Sequence, residues 1–216
     1  LPSFEGVHVK RHAARPWSFC TSQFQENGSQ AVLQWEDVAD KDLDAKTGEV
    51  SVVFPFEAGS EQARRHGGLI AALLRSLGDR FHVFSNAGAA WGGSPHRMSD
   101  FKYHLVIEDH LTDHCWTERL ADAYLAGCFP FFIGCGNLDE YFHPEAFEPI
   151  APGDAEAAAG HILRIMQDGI WEQRRTALLR AKEDVLFRYN ILAEIEALVS
   201  RRQAWEFMSE AIGGTY

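Results

Sequence analysis

The chain has 216 residues, of which 46% are hydrophobic and 24% charged. That is enough apolar material for one globular domain with a full core, plus segments at its ends. Its 20 Lys and Arg against 31 Asp and Glu give a formal net charge of -11, which repels a phosphate backbone and argues against a nucleic-acid partner.

No apolar run reaches the roughly 20 residues a membrane-spanning helix needs. The opening Leu1-Pro2-Ser3-Phe4-Glu5 has neither a basic region nor an apolar signal core. The expectation is a soluble protein, cytoplasmic or peripheral to a membrane, and the missing initial Met predicts a fragment or a processed product. Cys20, Cys115, Cys128 and Cys135 form no CxxC pair, and reduced thiols suit a cytosolic setting.

Residues 1–46 are the least regular part, with an Asn27-Gly28 turn signal and an acidic run through Glu36, Asp37, Asp40, Asp42 and Asp44. They are read as a connecting segment, with 47–216 as the folded domain. The β-branched run Val50-Ser51-Val52-Val53-Phe54 stops at Pro55, as a buried strand does. A helix is predicted from about Ser60, with Leu69, Ile70, Leu73, Leu74 and Leu77 at helical spacing and Gly78 closing it.

Strands follow at Phe81–Phe84 and Tyr103–Ile107, separated by a glycine-rich loop from Asn86 to Gly93. A helix over Thr117–Ala126 and a strand over Phe129–Ile133 complete a further unit. Strands alternating with helices predict an α/β fold with a parallel sheet covered on both faces. Beyond Ile150 three helices are expected: one opened by Pro152-Gly153-Asp154, one from Trp171 to Arg188, and one from Asn190 to Ala211.

Ligands of open parallel sheets sit beyond the carboxyl ends of the strands, which directs attention to the loop from Glu108 to Thr117. It carries Glu108, Asp109, His110, Asp113, His114 and Cys115. Glu118 falls in the first turn of the following helix, where the helix dipole alone favours a carboxylate, so position by itself does not make it a ligand residue. His110 and His114 stand four apart beside Asp109, Asp113 and Cys115, a pattern that also admits a metal site. In a loop the two do not share a helical face, and no distant His or Cys pair completes a ligand set. Cys115 beside His114 is a weak nucleophile pair, because the surroundings are acidic. Gly88, Gly92 and Gly93 match no phosphate-loop pattern.

The stretch Phe101-Lys102-Tyr103-His104-Leu105-Val106-Ile107-Glu108-Asp109-His110, then Trp116-Thr117-Glu118-Arg119-Leu120, Ala126-Gly127, Pro130, Gly134, Tyr141-Phe142 and Phe147, resembles the donor-binding motif of family-ten glycosyltransferases. These are the α1,3/4-fucosyltransferases and their bacterial relatives, and the spacing from Glu108 to Glu118 is the family's. The specific likeness runs from Phe101 to Phe147, inside a looser one from about Glu49 to Asn190.

The resemblance implies that Glu118 binds the donor's ribose and that Arg119 stands where the family's phosphate-contacting Lys does. Glu108, Asp109 and His110 fall within the donor motif, Asp109 in place of an Asn. The family's aromatic two positions before Thr-Glu-Lys falls on Cys115. An Arg near the diphosphate aligns with His66, beside Arg64 and Arg65, and Arg65 is the first choice for that charge.

It further implies the Rossmann-like carboxyl-terminal half of a GT-B type enzyme with a helical tail. Such an enzyme is metal-independent and inverting, carries no cofactor, and transfers fucose or a related sugar from a GDP-sugar, here GDP-fucose, to a saccharide acceptor in polysaccharide biosynthesis. The catalytic base belongs to an amino-terminal acceptor domain, of which residues 1–46 resemble only the end. Two other readings stand beside this one: a non-catalytic nucleotide-sugar-binding or assembly module of the same fold, and a metal-dependent hydrolase built on His110 and His114.

Overall fold

Five strands, β1 (Gly48–Val53), β2 (Phe81–Phe84), β3 (Phe101–Ile107), β4 (Phe129–Ile133) and β5 (Glu148–Pro149), form one sheet in the order β2-β1-β3-β4-β5. Every neighbouring pair is parallel. The computed structural model describes residues 46–54, 61–84 and 98–190, together with helical residues at 195–197, 199–200 and 202. All of the proposed linker but Lys46, the cap at Ser60, the glycine-rich loop 86–93 and most of the helix expected from Asn190 lie outside the described residues.

The strands form where the sequence gives short β-branched or aromatic runs, and β4 (Phe-Pro-Phe-Phe-Ile) is buried along its whole length. A strand buried on both sides needs a covered sheet, and the helices supply the covers. Helix α1 (Glu61–Leu77) links β1 to β2, and α2 (Glu118–Leu125) links β3 to β4. α1 packs with α3 (Ala155–Gln167), and α2 with α5 (Arg175–Phe187). The fold is α/β, as the alternation of strands and helices predicts.

Three boundaries differ from the sequence reading. β3 begins at Phe101 rather than Tyr103. The polar Lys102 masked that start; its ammonium pairs with Glu172 and lies 5.5 Å from the centroid of the Trp171 ring. The helix expected over Trp171–Arg188 is two: α4 (Ile170–Gln173) and α5 meet at Arg174, which leaves helical geometry at φ -99°, ψ 19°. The short α4 is held by Trp171, whose backbone N–H donates to Tyr103 Oη at 3.1 Å and whose indole N–H donates to the Gly127 carbonyl at 3.0 Å. The third is β5, whose two residues carry no apolar run and were not expected as a strand.

Connection order fixes where a ligand can enter. From β1 the chain goes through α1 to β2 on one side of the sheet, and from β3 it goes through α2 to β4 on the other. β1 and β3 are neighbours, with Val50 opposite Tyr103 and Ser51 opposite His104. The strand order therefore reverses between them, which makes the carboxyl ends of β1 and β3 the topological switch point.

Gly134, directly after β4, is needed for space. A Cβ there would lie 2.2 Å from Phe132 Cζ and 2.6 Å from its Cε1, and the Phe132 ring is buried. Gly134→Ala is expected to cost about 1–3 kcal/mol through overpacking, read as a lower midpoint in urea at unchanged slope.

Candidate functional site

At the carboxyl end of β3 the chain turns inward at Glu108, which is only 2% exposed. Its backbone N–H continues the ladder to β4 by donating to the Ile133 carbonyl at 2.8 Å. Its carboxylate accepts from the Thr117 N–H and the Thr117 hydroxyl, both at 2.8 Å. Burial raises the Glu108 pKa above its ordinary value and the Glu118 charge adds to that, while the Thr117 hydrogen bonds and the Arg119 charge oppose it. Glu108 thus acts as an internal clamp that closes the ten-residue loop back onto the start of α2.

Thr117 is the N-cap of α2, as Ser or Thr before a helix commonly is. Its hydroxyl accepts from the Arg119 N–H at 3.3 Å, while its carbonyl takes the N–H groups of Leu120 and Ala121. The Glu118 N–H has no acceptor among the described residues, and the Glu118 side chain is exposed and forms no hydrogen bond or ion pair there. Helix-start N–H groups of this kind are ready donors for an anion.

Arg119 is one-third exposed and reaches back along the loop. Nη1 donates to the Ile107 carbonyl at 3.0 Å and lies 3.9 Å from Glu108 Oε2, and Nη2 pairs with Asp109 Oδ2 at 3.0 Å. Asp109, placed among the donor contacts by the sequence resemblance, is exposed to solvent and ion-paired with the very residue that stands in the Lys position. Glu108, Asp109, Thr117 and Arg119 therefore form one connected group, with Glu118 beside it on the helix.

The remaining candidates divide. His110 is exposed beside Asp109. His114 sits at φ 61°, a conformation that non-glycine residues seldom adopt. Its N–H donates to Asn137 Oδ1 at 2.8 Å, and its Nδ1 lies 2.9 Å from Tyr141 Oη. His114 thus turns to Asn137 and Tyr141, and among the described residues no three His, Cys, Asp or Glu side chains converge as metal ligands. Asn137 and Tyr141 were not singled out as partners of His114, because only the packing of the β4 loop on the β3 loop brings them there.

On α1, which starts at the same sheet edge, His66 is buried, and burial with the neighbouring Arg65 charge lowers its pKa. It is neutral near pH 7, so positive charge at this part of α1 comes from the exposed Arg64 and Arg65. His104 lies inside the sheet instead of at the site. It bonds Ser51 Oγ at 2.8 Å, and burial holds its pKa down to about 3.

A cavity of about 520 Å³ opens at the opposite edge of the sheet, lined by Glu49, Arg80, Lys102, Tyr103 and Asp168 among others. Its cations are already paired, Arg80 with Glu49 and Lys102 with Glu172. It lies at the amino ends of the strands, away from the switch point, and the helix start beside it is that of the four-residue α4, whose first turn carries the acidic Glu172.

No protein-family model matches the chain, and no curated protein does. Among solved structures it is similar to an α1,3-fucosyltransferase with GDP-fucose, at 16% identity over 70% of this chain and 51% of that one, with a TM-score of 0.46. An α1,3-fucosyltransferase crystal structure matches at 15% identity over 68% of this chain and 47% of that one, with a TM-score of 0.45. A third, with GDP, matches at 14% identity over 68% and 49%, with a TM-score of 0.44. The chain spans about half the length of these proteins. No helix among the described residues is long and apolar enough to cross a membrane.

Proposed function

We propose that the crevice at the β1/β3 switch point binds the nucleotide diphosphate of a sugar donor, and that the chain is the donor half of a glycosyltransferase. The observation that carries this reading is the start of α2. There a buried Glu108 fixes the cap Thr117 and so presents the Glu118 carboxylate, an uncommitted N–H and the Arg119 guanidinium on consecutive residues. A carboxylate accepts from the paired hydroxyls of a ribose. A helix start and a guanidinium receive a diphosphate, and Arg65, beside the neutral His66 on α1, adds positive charge at the same edge.

The sequence resemblance supports the finer reading: GDP-fucose as donor, inverting and metal-independent transfer to a saccharide, and a catalytic base contributed from outside residues 47–216. Without a metal, the leaving diphosphate is stabilised by the helix start and basic side chains. The resemblance also assigns His110, exposed at the loop, to the donor motif.

Calorimetry with GDP and GDP-fucose on this chain tests the site. The wild type is expected to bind both, and Glu118→Ala to weaken binding by roughly tenfold or more, as for loss of hydrogen bonds to a charged group. No binding by the folded wild type overturns the donor site. The non-catalytic module is favoured by one observation, the engagement of Arg119 by Asp109. Sugar transfer by the full-length protein, abolished by Glu118→Ala, rules that module out.

A further inference from the structure

We infer that Asp109 is a built-in competitor for Arg119, so that a phosphate ligand must displace the Asp109 carboxylate before the guanidinium can receive it. This rests on the donor-site reading above and adds to it what sets the site's selectivity. Arg119 Nη1 is bonded to a backbone carbonyl that cannot leave the sheet edge, since Ile107 is a ladder residue of β3. Nη2 is bonded to Asp109, a loop residue whose side chain is 53% exposed. Of the two hydrogen bonds, the one to this solvent-facing carboxylate is the one that an incoming anion reaches.

Charge decides the direction of the effect. Of the four carboxylates between residues 108 and 118, Glu108, Asp109, Asp113 and Glu118, only Glu108 and Asp109 lie within 4.0 Å of the single guanidinium of Arg119. Glu108 is buried and bonded to Thr117, and Glu118 is on the helix. Asp109 is thus the carboxylate that both occupies the guanidinium and repels an incoming anion. An exposed ion pair is weak, worth up to about 1 kcal/mol. A multiply charged phosphate group displaces it readily, while a singly charged carboxylate ligand gains little by exchanging one carboxylate for another. On this basis Asp109 selects for phosphate charge density, at the expense of affinity.

Asp109→Asn keeps the shape of an exposed side chain and removes its charge. It is expected to tighten GDP binding by roughly threefold to tenfold in calorimetry, with a smaller gain at high salt, where exposed charges are screened. In an Arg119→Gln background the same substitution should give a markedly smaller gain, since its effect passes through the guanidinium. Equal or weaker GDP binding by Asp109→Asn overturns the inference and makes Asp109 an orienting or ligand-contacting residue. An undiminished gain in the Arg119→Gln background also overturns it, since the effect is then only that of net charge. If neither the folded wild type nor Asp109→Asn binds GDP, the donor reading itself fails.

Discussion

Trp116→Ala is expected to lower the stability of the fold by about 3–5 kcal/mol, the range for removing a large buried aromatic. Trp116 is 1% exposed and sits immediately before the cap of α2. Its ring meets Tyr141, Phe142 and Tyr189 edge-on, with centroids 5.9, 5.3 and 5.4 Å away. Tyr189 in turn donates to the Tyr141 carbonyl at 2.9 Å. Three elements thus converge on one indole: the loop before α2, the turn after β4 and the end of α5. Alanine would leave a cavity that three rings held by two different elements cannot close together.

The control is Trp116→Phe. The Trp116 indole N–H is buried and has no hydrogen-bond partner among the described residues, so the indole carries a desolvation cost that phenylalanine lacks. That gain offsets part of the lost area, and the Phe variant should fall well short of the Ala loss. Thermal unfolding decides, at roughly 2–4 °C per kcal/mol for a chain of this size. An Ala variant within about 1 kcal/mol of wild type would show that the ring cluster is not what holds the start of α2.

The sequence disclosed most of this frame because its local and tertiary signals agree. Val50–Phe54 and Phe129–Ile133 are apolar runs of strand length, and Gly78 ends α1 in the left-handed conformation at φ 53°. Thr117 reads as a cap from its position before Glu118, and the structure has it as the N-cap. What stayed hidden depended on pairing between distant residues. The order of strands, and with it the switch point, leaves no local trace.

The inward turn of Glu108 was hidden for a different reason. In a sheet covered on both faces, alternation along β3 does not separate buried from exposed positions: His104, Leu105, Val106 and Ile107 are all buried. Nothing in that run distinguishes a clamp from a ligand residue. The Asp109–Arg119 pair was within reach, since one is the second residue of the loop and the other the second residue of α2. Spacing alone does not show that the loop folds back to bring them within 3.0 Å.

Glu108→Ala should show how far the site depends on this clamp. The Thr117 N–H and hydroxyl both lose their acceptor, and a small void is left under the loop. A loss of about 2–3 kcal/mol is expected from unpaired donors and lost volume together. Glu108→Gln keeps the shape and an acceptor oxygen, so it should lose less. Its pH dependence separates charge from shape. Burial raises the Glu108 pKa in the folded state, so the native protein holds this proton at pH values where the unfolded chain has released it. The contribution is fully present below the ordinary glutamate pKa and is lost as pH rises through the raised folded value. Wild-type stability should therefore fall through that window relative to Glu108→Gln, whose amide does not titrate, and parallel curves would contradict the buried clamp. On the ligand side, freeing Thr117 loosens Glu118 and Arg119 together, because both take their direction from the first turn of α2. GDP binding should weaken by about tenfold or more in Glu108→Ala and only slightly in Glu108→Gln. An Ala variant that binds as wild type does would show that α2 holds its first turn without the carboxylate beneath it.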